Sequence, residues 1–447
     1  MRGSSKIDYG IAFIMLGLAA LAATIIVGLL TSVVYLQPEF MKSILPFNQM
    51  RPLHVSNGVA WIVLTAIGGI YFYWSTVEGN KWYSTQLPKV HFWLFFAIGI
   101  AIWVCYLGGF LGGREYLVFT PWLLLPVLLG WIIMAYNYYR SIIGKIKNWP
   151  VYYWMWLIGL TFMIYHLCES NFWMMDHFRA DFIRDKMVQW KSYGSFVGSW
   201  NMLVYGTAMY LMTKISGDPA SARGKKVFFF FFLGLANLMF GWAHHTYTLP
   251  TIAWIRYVAY ATSMTEWILF ANIIYGWNKG LSKPAKEASS WAYRFMMAAD
   301  LWVFLNLFLA LLMSIPAINY FTHGTHVTVA HSMGTTIGIN TSILLASVAF
   351  IAQYRSKSEP RSSWFKTCFY IFNASLAAFW LALIGAGWYK SKWMMDMESA
   401  SFGQMHDGSN PFYIAFVIAG TIMAVSLLSI LLIQFGRLRK NALRISD

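Results

Sequence analysis

The sequence predicts an all-α membrane protein of twelve transmembrane helices. Three observations predict it. The 447 residues are 58% apolar and only 11% charged, against about 45–50% and about 25% in soluble domains, and the mean hydropathy is +0.53. The apolar residues gather in long stretches, many near the ~20 residues that cross a bilayer as a helix. Lysine and arginine crowd into alternate connections between those stretches. One water-soluble core at this length cannot bury so much apolar surface.

The spans follow in order. The first, 10–36, is longer than the ~7–15-residue apolar core of a signal peptide and is read as a retained helix. The second, 53–76, opens on His54, and 88–112 and 118–139 follow at short spacing. The fifth, 150–174, carries His166-Leu-Cys168-Glu169 near its end, and the sixth runs over 190–213. The seventh, 226–248, ends near the pair His244-His245; the eighth, 251–277, has Glu266 at its middle; the ninth, 291–317, holds Asp300. The tenth, 325–353, bears His331 six residues in and Met333 just after it, and 364–388 and 411–435 complete the set. Most connections are short, so sequential helices should be antiparallel neighbours. With no linker and no internal repeat, residues 1–447 are read as a single polytopic membrane domain.

Charge orients the bundle. With the N-terminus in the cytoplasm, the even-numbered connections and both tails hold 23 Lys and Arg, the odd-numbered ones 9. By the positive-inside rule both termini face the cytoplasm. This placement accounts for the net charge of +16 without any nucleic acid. Cys105, Cys168 and Cys368 lie far apart in or beside apolar stretches, forming neither a disulfide framework nor a metal motif. Asp176, Asp181, Asp185, Asp396, Glu398 and Asp407 sit in the two longest outer connections, 175–189 and 389–410. An acidic outer face can dock a basic electron carrier; ordinary solvated loops carry such residues too.

Ionisable side chains inside spans are costly and usually functional. The orientation puts His54, His244, His245 and His331, from three helices, at one outer level of the bilayer. Each imidazole needs a polar partner in hydrocarbon, and metal or haem ligation supplies one. Adjacent histidines point about 100° apart on a helix, so His244 and His245 can meet one metal only at a helix end or distortion; Fe, Cu and Zn all suit imidazole. His331 and Met333 point to nearly opposite faces, so one helix can serve two centres. A His–Met haem is a raised-potential electron-transfer centre, whereas a His-only haem keeps an open face for a small ligand.

This constellation resembles the haem–copper oxidase superfamily, and within it the large (NorB-like) subunit of cytochrome c-dependent nitric oxide reductase. The resemblance covers the whole chain and includes the stretch His323-Gly-Thr325-His326-Val-Thr-Val-Ala330-His331. It implies a subunit I-like bundle with two noncovalent haems, b-type, since the chain has no CxxCH motif. In that correspondence His54 ligates the low-spin haem, His331 the high-spin haem, and His244 and His245 a non-haem Fe or Cu. His323 falls near the haem propionates, where the family often holds a divalent cation such as Ca. Glu266 falls where nitric oxide reductases carry an acid near the binuclear site.

Two positions depart from the pattern. Met333 stands where the family has the second low-spin haem histidine; a thioether can still ligate. Tyr193 stands where the third non-haem ligand belongs, with Val197 and Asn201 at two acid positions. The expected activity is reduction of nitric oxide to nitrous oxide in a respiratory membrane enzyme, with Glu266 and Tyr193 as catalytic candidates. Related gas chemistry (NO dismutation or O2 reduction) and a non-catalytic haem-bearing electron-transfer or anchor subunit are the alternatives. The implied partners are a cytochrome c-type small membrane subunit and an outer-face electron donor. The implied location is the bacterial inner membrane.

Overall fold

Helix after helix forms along the apolar stretches, because in lipid only a helix satisfies its own backbone within one segment. The structure is a computed structural model that describes residues 7–144, 148–396 and 401–442, without the side chains of residues 263–264, 266–271 and 440–442. The first helices are α1 Tyr9–Val33, α2 Phe47–Phe72, continued by a π turn over Tyr73–Val77, and α3 Leu87–Leu107. A short antiparallel hairpin follows, β1 Leu111–Arg114 with β2 Leu117–Phe119. Next come α4 Leu124–Ile142, α5 Val151–Glu169, α6 Asp176–Arg179, α7 Phe182–Ser216 and α8 Lys225–Phe240. After a 3-10 turn over Gly241–Thr246 lie α9 Ala253–Gly280, α10 Lys283–Ala288, α11 Ser290–Ser314, α12 Pro316–Thr322 and α13 His326–Met333. A second π turn, Gly334–Thr341, joins α13 to α14 Ser342–Ser356, and α15 Ser363–Met395, α16 Phe402–Gly408 and α17 Asn410–Ala442 close the chain.

Among the described residues, ten helical segments are long and apolar enough to cross a membrane. The other two expected spans, 190–213 and 251–277, lie in α7, 35 residues long, and α9, 28 residues long. In α7 the apolar residues are diluted by Ser195, Ser199, Asn201 and Thr207, all turned to or near the interior rather than to lipid. The hairpin was not anticipated. It trims the expected third and fourth spans because Gly109, at φ +73°, ends α3 in a conformation other residues resist.

Caps fix where helices begin. The Asp8 carboxylate accepts from the Ile11 amide at 3.2 Å ahead of α1, and the Asp181 carboxylate accepts from Arg184 at 2.7 Å ahead of α7. Ser401 and Gln404 form a reciprocal capping box on α16. The α1–α2 pair packs backbone to backbone: a Cβ on Gly68 would stand 2.6 Å from the Gly10 carbonyl oxygen.

Cross-links between helix ends identify the two ends of the bundle. Asp8 pairs with Arg355 at 3.3 Å, and Arg437 donates to Ser356 at 3.1 Å, so the start of α1 and the ends of α14 and α17 share one end. At the other end His406 bonds the Tyr35 carbonyl at 3.1 Å and Lys390 donates to the Gly324 carbonyl at 3.2 Å. The interior is dense in aromatics, with Trp61, Trp156, Trp302, Tyr73 and Tyr210 almost wholly buried. Large apolar side chains such as Ile100, Leu125, Phe304 and Leu432 cover the outside, as a lipid-facing surface requires.

Candidate functional site

His54 lies in the second turn of α2. Its Nδ1 stands 2.8 Å from the Thr24 carbonyl oxygen of α1, and a carbonyl only accepts, so the ring proton is on Nδ1. The Nε2 lone pair is thereby left for a ligand, the arrangement metal-bound histidines use. Close approach of the helices depends on Gly28, where a Cβ would stand 2.6 Å from both Nδ1 and Cε1 of His54.

His244 and His245 sit on the tightened turn that follows α8, a helix-end distortion of the kind two adjacent ligands need. Their ring centroids are 4.2 Å apart. The Trp190 ring of α7 lies parallel to His245 at 5.3 Å and meets His323 edge-on at 5.9 Å. Asn319 anchors the turn from α12, its amide donating to the carbonyls of His244 at 3.0 Å and Met313 at 2.9 Å. His331, on α13, has its carbonyl held by the Asn306 amide of α11 at 3.0 Å and the Thr335 hydroxyl at 3.1 Å.

His244, His245, His323 and His331 thus lie within electrostatic reach of one another. Burial holds the His323 imidazole below its usual pKa, partly offset by a hydrogen bond with the His245 backbone. The buried Nδ1 atoms of His244 and His331 have no hydrogen-bond partner among the described residues. Unpaired polar atoms cost free energy in a dry interior, and ligation of iron removes that cost. The donor set at His54 and His331 therefore fits haem.

The remaining candidates distribute differently. Met333 is half-buried against the main apolar core. Tyr193 is buried and turned to the Tyr116 ring of the hairpin connection, edge-on at 5.6 Å. Its neighbour Gly194 faces the histidine turn, and a Cβ there would lie 3.8 Å from His245 Cδ2. Asn201 accepts from the Asn340 amide at 3.1 Å. Glu266 falls within the bounds of α9, but its side chain lies outside the described residues. Among the described residues no three His, Cys, Asp or Glu side chains form a group that could hold a metal ion. The residues seen fit a non-haem metal only in part, through two histidines.

Sequence reasoning missed the supports, Trp190, Asn306 and Asn319, although two asparagines in apolar segments were a signal. It also missed that His166, Glu169 and Lys191 form one contact group, with His166 Nδ1 2.9 Å from Glu169 and Lys191 bonded to the same carboxylate. A cavity of about 530 Å3 between α1, α2 and α3 is lined by residues such as Ala20, Ala60, Phe96 and Trp103; none of the candidate ligands lines it.

Known proteins share this arrangement. The family profile described as cytochrome c and quinol oxidase polypeptide I matches residues 8–422. A nitric oxide reductase subunit of Stutzerimonas stutzeri, of the NorB type, is 22% identical over 449 positions, which cover 93% of this chain and 91% of that one. Cytochrome c oxidase subunit 1 of Rhodobacter capsulatus is 24% identical, covering 87% of this chain and 75% of its own length. A heme-copper terminal oxidase dimer solved by cryo-EM superposes with a TM-score of 0.77 at 14% identity, over 98% of this chain and 84% of that one.

Proposed function

The chain belongs to the cytochrome c and quinol oxidase polypeptide I family, and from that premise we propose that it is the large subunit of a respiratory nitric oxide reductase. The observation that carries the reading is the meeting of His244, His245, His323 and His331 around Trp190, with two buried imidazole nitrogens unclaimed. His54 and Met333 would hold a low-spin haem, His331 a high-spin haem, and His244 with His245 a non-haem iron or copper. Bound there, these groups would supply the redox chemistry that takes two NO, two electrons and two protons to N2O and water.

The protein's own contribution is positional. The Thr24 carbonyl fixes the tautomer and plane of His54. Trp190 and Asn319 set the His244-His245 turn, and Asn306 sets the backbone at His331. Glu266 is assigned the handling of protons, and His323 a place beside the propionates, where Ca would fit. Both termini are assigned to the cytoplasm of a bacterial inner membrane. A cytochrome c-type small subunit is assigned as partner, with electrons arriving on the outer face.

The test is N2O formation from anaerobic NO by the purified complex with a reduced donor. A complex that carries both haems and forms no N2O removes the reading.

One observation favours a second reading. Tyr193 packs on Tyr116, and only two histidines are presented for the non-haem metal among the described residues. A haem-bearing electron-transfer or anchor subunit would have that pattern. The ratio of non-haem metal to noncovalent haem in the complex separates the two: one metal per two haems supports gas chemistry, and none supports the second reading.

A further inference from the structure

A second polar cluster, separate from the histidines, lies in the half of the bundle where α1 begins. Glu78 follows the π turn of α2, and its carboxylate accepts from Lys214 of α7 at 2.7 Å and from the Tyr210 hydroxyl at 2.8 Å. The Glu78 and Lys214 side chains keep 22% and 31% of their surface exposed. Inward of them everything is closed. The Tyr210 ring stacks on Tyr73 with centroids 4.3 Å apart, and the Tyr73 hydroxyl shares a 2.5 Å hydrogen bond with Ser347 of α14. Tyr73, Tyr210 and Ser347 are fully buried. Seven residues back along α14, toward His331, Asn340 is bonded to Asn201, while its own Oδ1 and the intervening Ser342 hydroxyl are buried and unpartnered among the described residues.

This column is costly as packing. A hydrogen bond between membrane helices contributes about 0.6 kcal/mol on average, whereas each unsatisfied polar group in a dry core costs several times that. Apolar contacts would hold α2, α7 and α14 together without the penalty. Carboxylate, phenol and hydroxyl are, however, the side chains that transfer protons. The column begins at the end of the bundle shared by Asp8, Arg355 and Arg437, the lysine- and arginine-rich end. It points along α14 to the helix turn that carries His331.

We propose that Glu78 collects protons at the lysine- and arginine-rich face and that the Tyr210–Tyr73–Ser347 column carries them toward the histidine site. The inference rests on the gas-reduction reading, whose reaction consumes one proton for each electron delivered. None of the column residues changes redox state: a proton gained at Glu78 is matched by one released at the inner end.

The test uses the haem-loaded complex with its partners, reconstituted in vesicles with a pH dye inside and valinomycin to collapse the membrane potential. A membrane-impermeant reduced donor and NO are added outside, so that only molecules with the donor face outward turn over. The lumen is expected to become alkaline in step with NO consumption. Glu78→Gln and Tyr73→Phe should each slow that change by about tenfold or more, with haem spectra and haem reduction by the donor unchanged. Glu78→Asp should retain most of the rate, which a purely structural role for the side chain's length would not predict. A constant lumen pH during NO consumption overturns the proposal, as do wild-type rates in both Glu78→Gln and Tyr73→Phe. Failure of the spectrally intact wild-type complex to consume NO overturns the gas-reduction reading and this inference with it.

Discussion

The indole of Trp190 and the imidazole of His245 lie face to face, 5.3 Å apart and 11° from parallel, across the contact between α7 and the turn after α8. Such a stack contributes about 0.5–1.5 kcal/mol, and it fixes a ring that its own short turn cannot. Trp190→Leu is expected to lower the ratio of non-haem metal to haem in the purified complex while leaving both haems in place. An unchanged ratio would separate Trp190 from the metal site.

Gly28 makes room for His54, because any Cβ would lie 2.6 Å from the ring. Gly28→Val should displace the imidazole and cost the complex its low-spin haem. A pyridine haemochrome assay, with the partner's c-type haem counted separately, reads this as a drop from two noncovalent haems to one. Two haems retained would show that α1 can move aside.

Met333→Ala should convert the low-spin haem to a high-spin spectrum if the thioether is its ligand. An unaltered spectrum would assign Met333 to core packing.

Glu266→Ala should abolish N2O formation and leave both haem spectra as they are. Undiminished turnover would remove Glu266 from proton handling.

Asp8 tests the energetics outside the bilayer core. Burial raises its carboxyl above the ordinary 3.8, and the bonds to the Ile11 and Gly10 amides and the Arg355 charge offset this only in part. A carboxyl raised on folding contributes stability below that range and loses it as pH rises through the folded value. Asp8→Asn, which can still cap α1, should therefore be neutral or stabilising at pH 7. It should also flatten the fall in thermal stability between acid and neutral pH. Arg355→Ala, which leaves a buried carboxylate without its cation, should cost roughly 2–4 kcal/mol in a detergent melt. A destabilised Asp8→Asn protein would show that the ion pair outweighs burial.

Much of the architecture was legible because hydropathy and charge placement act over whole helices. The ends were less so. The hairpin at 111–119 hid inside two apolar stretches, since Leu111, Leu117, Val118 and Phe119 read equally well as lipid-facing helix. The π turns at Tyr73–Val77 and Gly334–Thr341 have no sequence period of their own. At the site, four histidines drew attention as isolated ionisable groups in hydrocarbon, and the structure puts three of them, with His323, in one place. What patterns could not supply was orientation: Tyr193 and Gly194 are neighbours in sequence, yet only Gly194 faces His245, because successive residues on α7 point about 100° apart. The polar column from Glu78 to Ser347 joins three helices far apart in sequence, and no local spacing announces it.

The π turn between His331 and Ser347 has a consequence for how this helix tolerates change in length. A π turn bonds i to i+5 and so absorbs one residue more than an α turn. Eight residues in that geometry, Gly334–Thr341, act as a phase adjuster: the haem-facing α13 and the polar face of α14 are set at an angle that 3.6-residue periodicity would not give. Deleting one residue here would shorten the helix by only about 1.5 Å yet swing one half against the other by about 100°. The two halves of the helix can therefore be re-indexed by a single insertion or deletion, while both ends stay docked.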